Sequence, residues 1–370
     1  MNRMCIAVLI IFVFAGSIFP LAVHAQELVP DTAVTMKAKV LEIISEERRQ
    51  IPGTDVMSTY QTIRIEALDG LEKGDVVTVE NDYLNMDVGD VFYLMHTTNS
   101  LDGTDYYTVI EPYRLPALGI LVGLFIVVVL TFGGRQGLRG LLSLVASLLF
   151  ILLFLLPGIL QGYSPILVSL GVASLIVLIG SYVTHGFNRM TSTAVLGMIV
   201  TVLFTGLLAY LAIHFTHLSG YTGEETMYLN LNTRGAIDFA GLLMGAILIG
   251  TLGILYDAAI GQAVAVEELA RAGGHLTRKE IYKRALRIGR EHIGALVNTL
   301  AIAYVGASLP LLLLFYGFGT DSIALTLNRE LFATEIVRSI VGSIGLVLAV
   351  PITTLIAAWL LVPNQKLRIN

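Results

Sequence analysis

The sequence predicts a polytopic α-helical membrane protein with a small extracytoplasmic β-barrel-like domain ahead of its helices. Three observations predict it. Hydrophobic residues make up 55% of the chain and charged residues only 14%, against about 25% charged in soluble domains, and mean hydropathy is +0.77. The apolar residues gather into long runs after residue 116, behind a charged, alternating segment. Basic residues collect in alternate loops between those runs. The formal net charge is −5, and the one basic stretch lies between two apolar runs, so nothing points to nucleic-acid binding.

Residues 1–25 read as a signal peptide or an N-terminal anchor. Arg3 gives a positive start, Cys5–Phe19 an apolar core, and Val23-His24-Ala25 a small-residue cleavage site. Cleavage after Ala25 would remove the single cysteine, Cys5, and leave no disulfide. Either reading puts the next segment outside the membrane.

Residues 26–115 are charged and β-patterned. Val34–Ile44 partly alternates and Thr59–Leu68 alternates clearly; Gly74-Asp75 and Gly89-Asp90 each launch a strand, and Tyr106–Glu111 makes a fifth. Short period-2 strands with Gly/Asp turns predict a small antiparallel barrel or sandwich, an OB-like barrel first. Glu46, Glu47, Arg48 and Arg49 read as a solvated strand end or hairpin tip.

Residues 116–362 hold about seven apolar spans, at 116–132, 138–156, 165–183, 193–215, 236–259, 293–318 and 335–362. Each is long enough for a hydrocarbon core of roughly 30 Å at about 1.5 Å per residue. With the β domain outside, the inner loops hold Arg135, Arg139, Arg189, Arg271, Arg278, Lys279, Lys283, Arg284, Arg287, Arg290, Lys366 and Arg368, and the outer loops only Arg234 and Arg329. Twelve against two orients the chain by the positive-inside rule and places the tail, 363–370, in the cytoplasm of a cell-membrane protein.

The loop at 267–292 is the main cytoplasmic feature. Gly273-Gly274 breaks it, and Thr277 with Glu280 forms a capping box for a following helix. Ile281, Ala285 and Ile288 share one face, with Lys283, Arg284, Arg287 and Arg290 mostly off it. The pattern suits an amphipathic helix on anionic lipid headgroups; docking of a partner is the alternative.

Asp257 is the residue most open to a functional reading. It stands in Ile247–Val266, a span otherwise free of charge. A carboxylate at that depth costs about 2.5–3.5 kcal/mol on insertion scales, and such residues mark ion or substrate paths. Asn298 and Thr299 enter the next span at a similar depth and are expected as its partners in a proton relay. A structural Asp257–Asn298 bond that only joins helices is the alternative. Gly241, Gly245 and Gly253 on the same span, and Gly342 and Gly345 on the last, are expected at close helix contacts. Glu335 with Arg338, and Arg234 with Asp238, stand at the outer starts of two spans and are expected as ion pairs, either interfacial or an outer gate. His185 and Arg189 end the third span on the inner side. His214 and His217 are three apart, but no third ligand is evident, so no metal site and no cofactor is expected.

The membrane part resembles the YibE/F-like family of integral membrane proteins. The resemblance is carried by Tyr113-Arg114-Leu115-Pro116, Gly137–Ser143, His185–Arg189, Tyr228–Asn230 with Arg234-Gly235, Ile288–Arg290 with Asn298-Thr299-Leu300, Ala303–Pro310 and Val341–Pro351, in the expected order from about residue 34 to 362. It implies an acidic residue at Asp257 within a Gly-rich helix, and it brings no biochemical activity with it. A fainter likeness joins Gly253–Asp257, Glu267-Glu268, the Thr277–Arg290 linker and the Gly-rich last span to the second half of proton-driven exporters. These are the resistance-nodulation-division exporters and the accessory subunits of the Sec export system.

An enzyme is not expected. Tyr256-Asp257 is similar to the first motif of intramembrane aspartyl proteases, but their Gly-x-Gly-Asp is absent. Asp238 stands about 28 Å along the same helix, too far to share a proton. No His-Glu-x-x-His, Gly-x-Ser-Gly or P-loop is present. Two functions remain. One is a secondary transporter or exporter, proton-coupled through Asp257. The other is a non-transporting scaffold or accessory subunit acting through the β domain. A sister membrane subunit or a second copy is an open partner for both.

Overall fold

A computed structural model describes residues 32–363 apart from 52, 71, 83, 100–102, 274–275 and 319–321. The signal or anchor segment and the basic residues Lys366 and Arg368 lie outside the described residues. The chain divides into two compact units between Leu124 and Phe125, each treated by itself.

The first unit is a five-stranded antiparallel sheet of β1 (Thr32–Gln50), β2 (Met57–Ala67), β3 (Val76–Asn81), β4 (Val91–Thr98) and β5 (Asp105–Pro112). The strand order is β3-β2-β1-β4-β5. Met36, Ala38 and Val40 alternate onto one face of β1 and meet Ile63, Ile65, Phe92 and Leu94 in a closed core. Register shifts between Val40 and Glu42 and between Ile43 and Ser45 bend β1. One long strand can therefore pair with β4 through its first half and with β2 through its second. Gln61 is buried and acts like a backbone unit, donating to the Met86 carbonyl at 3.0 Å and accepting from the Met86 amide at 2.8 Å. Glu46, Glu47, Arg48 and Arg49 are exposed on the far arm of the β1–β2 hairpin.

The expected barrel is corrected to a half-barrel. The edges β3 and β5 approach each other, but no hydrogen-bonded ladder joins them. β3 has only six residues. Side chains span part of the open side instead. His96 on β4 places Nδ1 against Glu72, from the turn before β3, and Nε2 2.9 Å from Asp105 on β5. Its ring stacks on Tyr107 at 4.6 Å. Hydrogen bonds from Thr98 and His96 hold the Asp105 carboxyl below its usual range. Burial, with Glu72 close by, pushes the Tyr107 hydroxyl up.

The helical elements are α1 (Leu115–Phe150), a π turn (Ile151–Leu155), α2 (Leu156–Leu160), α3 (Pro165–His185), α4 (Arg189–Phe215), α5 (Glu224–Asn232), α6 (Phe239–Ala272), α7 (Arg278–Ala307), α8 (Leu309–Phe318), α9 (Ile323–Asn328) and α10 (Glu330–Leu361). Among the described residues five helical runs are long and apolar enough to cross a membrane: Leu115–Leu160, α3, α4, α6 and α10. The pair α7 and α8 makes a sixth if taken as one span, bent by 64°. Pro310, at the start of α8, has no amide hydrogen to continue the helix across that bend.

The expected spans 116–132 and 138–156 fall in one helical run, which consists of two helices meeting at Gly134, with φ 52° and ψ −133°. A side chain at Gly137 would strike the Val129 carbonyl, so the chain turns sharply there.

Glycine and threonine set the helix spacing in the second unit. Gly345 of α10 receives Thr205 of α4, Gly197 of α4 receives Thr353 of α10, Gly342 of α10 receives Thr251 of α6, and Gly245 of α6 receives Ser169 of α3. Thr201, Thr205 and Thr251 donate to carbonyls of their own helices at 2.8, 2.9 and 3.0 Å. Their hydroxyls are thereby satisfied locally and cost the apolar interior little. Large apolar side chains such as Ile120 and Phe132 instead face away from protein, as lipid-facing residues do.

The basic segment also differs from expectation. The Thr277–Glu280 capping box forms, with the Glu280 carboxylate accepting from the Thr277 amide at 2.8 Å. The helix it starts does not stop, however, and runs on as α7 to Ala307. Ile281 and Ala285 pack with Ala357 and Val362 at the end of α10, so this apolar face is covered by protein. Ile288 stays exposed.

Candidate functional site

Asp257 lies on the exposed side of α6, in line with Gly250, Gly253 and Gly261 at helical spacing. Side chains added at Gly253 or Gly261 would meet nothing within 4 Å, so Gly253 does not sit at the close contact expected of it. Among the described residues Asp257 makes no hydrogen bond and no ion pair. The preceding residue points the other way. The Tyr256 hydroxyl donates to the Gly180 carbonyl of α3 at 3.4 Å, and its ring lies 6.0 Å from that of His185. Gln136 of α1 donates to the Thr184 carbonyl at 3.1 Å, and Ser143 of α1 lies against Gly180. Gln136, Ser143, Thr184, His185 and Tyr256 therefore form a polar seam between α1, α3 and α6, on the side of α6 that Asp257 turns away from, and of these the sequence had singled out only His185 as a site residue. These residues come from three separate helices with no spacing that links them.

The expected trio of Asp257, Asn298 and Thr299 does not form a bonded cluster. Gly250 lies near Tyr304, and Gln262 lies against Gly289, so α7 runs antiparallel beside α6 with Asp257 and Asn298 at similar height. Both side chains nonetheless turn outward. Thr299 donates to its own Ala295 carbonyl at 2.9 Å. A buried polar bond joins α6 to α10 instead: Thr354 of α10 donates to Gln262 of α6 at 2.8 Å.

Of the two expected ion pairs, Glu335 and Arg338 meet at 2.7 Å, with Ser308 donating to Glu335 at 3.4 Å. The pair Arg234 and Asp238 does not form. One oxygen of Asp238 caps α6 instead, accepting from the Gly241 amide at 3.0 Å. Arg234 takes a left-handed backbone, φ 52°, and its side chain is exposed. Gly241 accordingly packs on its own cap, Asp238, and on Ile166. His185 ends α3, and Asn188 caps α4 by accepting from the Thr191 amide at 2.8 Å. Arg189 opens α4 at a broad surface cleft shared with Leu360 and Leu361.

One arrangement had no signal in the sequence. The Glu330 carboxylate at the start of α10 accepts from the amides of Ser219 and Gly220, each at 2.7 Å. It thereby clamps the loop after α4. His214 and His217 share a cleft with Tyr210 and Asp238, yet among the described residues no three such groups are placed to hold a metal ion.

Long apolar helices packed through glycine, with lipid-like outer surfaces, define a multi-pass membrane protein. The family model for YibE/F-like proteins matches residues 121–363, and the chain belongs to that family. No curated protein and no solved structure matches it, so the likeness to proton-driven exporters gains no support.

Proposed function

We propose that the protein is a secondary transporter, proton-coupled, with Asp257 as the protonation site. The observation that carries this reading is an unpartnered carboxylate on the glycine-lined, exposed face of a membrane helix. A charged carboxylate facing lipid costs about 2.5–3.5 kcal/mol or more. It must be neutral there, or face a hydrated cavity, and exchange between those two conditions is the minimum step of a proton relay. Asn298 and Thr299 stand at the same height on the neighbouring helix, where a small rotation of α7 would bring them to Asp257. The Glu335–Arg338 pair closes the outer side in this reading. The charge asymmetry of the loops supports an extracytoplasmic β unit, a cytoplasmic carboxyl terminus, and contact between the basic start of α7 and anionic headgroups. No bond-breaking chemistry is assigned to the chain.

One observation favours a second reading. Gly253 and Gly261 leave room beside Asp257, and a helix from a sister subunit or second copy would fill it, as in an accessory subunit. Carbodiimide labelling of the protein in lipid across pH 5–9, with flux measured for Asp257→Asn, separates the two. A relay requires labelling that fades as pH rises, and lost flux at unchanged abundance. A covered Asp257 stays unlabelled at every pH, and its Asn variant loses a partner rather than flux.

A further inference from the structure

We infer that the cleft at the start of α6 is a binding site for a small apolar ammonium ion. The cleft encloses about 310 Å³ between α3, the end of α4 and the start of α6. Its walls are Ile166, Ile213 and Met244, and its polar groups are Asp238, Tyr210 and the two imidazoles of His214 and His217. That is the composition of a small-molecule pocket: apolar walls and a few converging polar groups.

Asp238 supplies the negative charge. One carboxylate oxygen caps the Gly241 amide at 3.0 Å. The other lies over Gly241, where a Cβ would collide with it, and no hydrogen bond or ion pair occupies it among the described residues. The carboxylate is thus held in place by one oxygen while the second is free to take a ligand. Tyr210 and His214 lie parallel at 6.3 Å and both line the cleft, where the Tyr210 ring is available to a cation. His217 holds a left-handed backbone, φ 53°, which non-glycine residues rarely adopt.

An anion fits less well. The amide at the helix start that would receive it is already taken by Asp238. A metal ion fits less well because no three ligating groups are suitably placed. The site does not include Asp257, so it stands or falls apart from the transport reading.

The test is calorimetric titration of the full-length protein in lipid nanodiscs with phenethylammonium and its uncharged isostere 2-phenylethanol. The ammonium ion is expected to bind about tenfold tighter, the size of a partly desolvated charge contact. Asp238→Asn keeps a good helix cap and is expected to abolish that preference. Tyr210→Leu is expected to weaken the ammonium ion severalfold and serves if the Asn variant fails to fold. Equal binding of the two ligands, or undiminished preference in the Asn variant, overturns the proposal. So does an absence of ammonium binding alongside saturable zinc binding that is lost in His214→Ala.

Discussion

Thr354 and Gln262 form a single buried hydrogen bond, 2.8 Å long, that ties α10 to α6. Elsewhere along these two helices Gly342 meets the Thr251 methyl, and Val341, Leu346 and Val350 share an apolar core with Ile247, Leu248 and Leu255. Replacing Thr354 with Val keeps the shape and removes the bond. The expected cost is about 0.6–2 kcal/mol, read as a lower unfolding midpoint in detergent. Gln262→Leu, which also leaves the Thr354 hydroxyl satisfied by its own helix, is expected to cost no more than that.

Glycine positions divide into two kinds, and substitution to alanine separates them. Gly345→Ala drives a methyl into Thr205 and is expected to destabilise by about 1–3 kcal/mol through overpacking. Gly253→Ala meets open space and is expected to stay within about 0.5 kcal/mol of the parent. Thermal unfolding of the two variants side by side checks this. A large loss at Gly253 would mean that another chain covers that face.

Glu330→Ala removes the acceptor for the Ser219 and Gly220 amides. The clamp is partly exposed, so a loss of about 1 kcal/mol is expected. The clearer readout is local: faster hydrogen exchange at those two amides and earlier proteolysis between α4 and α5, with the core helices unchanged.

Asp105 gives the β unit an acid limit. Its folded carboxyl titrates below its unfolded value. The stability it confers is therefore present above the ordinary aspartate range, near about 3.9, and is lost as pH falls through the lower folded value. Asp105→Asn is expected to flatten the acid side of the unfolding profile of the full-length protein. An unchanged acid limb in that variant would remove Asp105 from the account.

The fold was legible where one residue type repeats at one period. The five strands alternate over Met36, Ala38, Val40 and their partners, and the Thr277–Glu280 spacing marks a helix start that forms as written. What failed was closure, which depends on length: whether β3 and β5 join rests on a six-residue strand. The break between the first two helices was legible only as a short Gly-Gly-Arg stretch, and the structure puts the kink at Gly134. The site was less legible. Asp257 stands out because it is alone among apolar residues. Tyr256, Gln136 and Glu330 act through partners distant in sequence, and a side chain's partner across a helix interface leaves no periodic trace.

The meshing of Gly345 with Thr205, Gly197 with Thr353 and Gly342 with Thr251 has a mechanical consequence. Helices that interlock through backbone contact cannot slide by repacking side chains, because no flexible layer lies between them. α4, α6 and α10 therefore behave as one stiff frame. The parts joined to that frame by fewer interlocks, and so the ones left free to shift against it, are α1 before its turn at Gly134 and the end of α7 at the bend before Pro310.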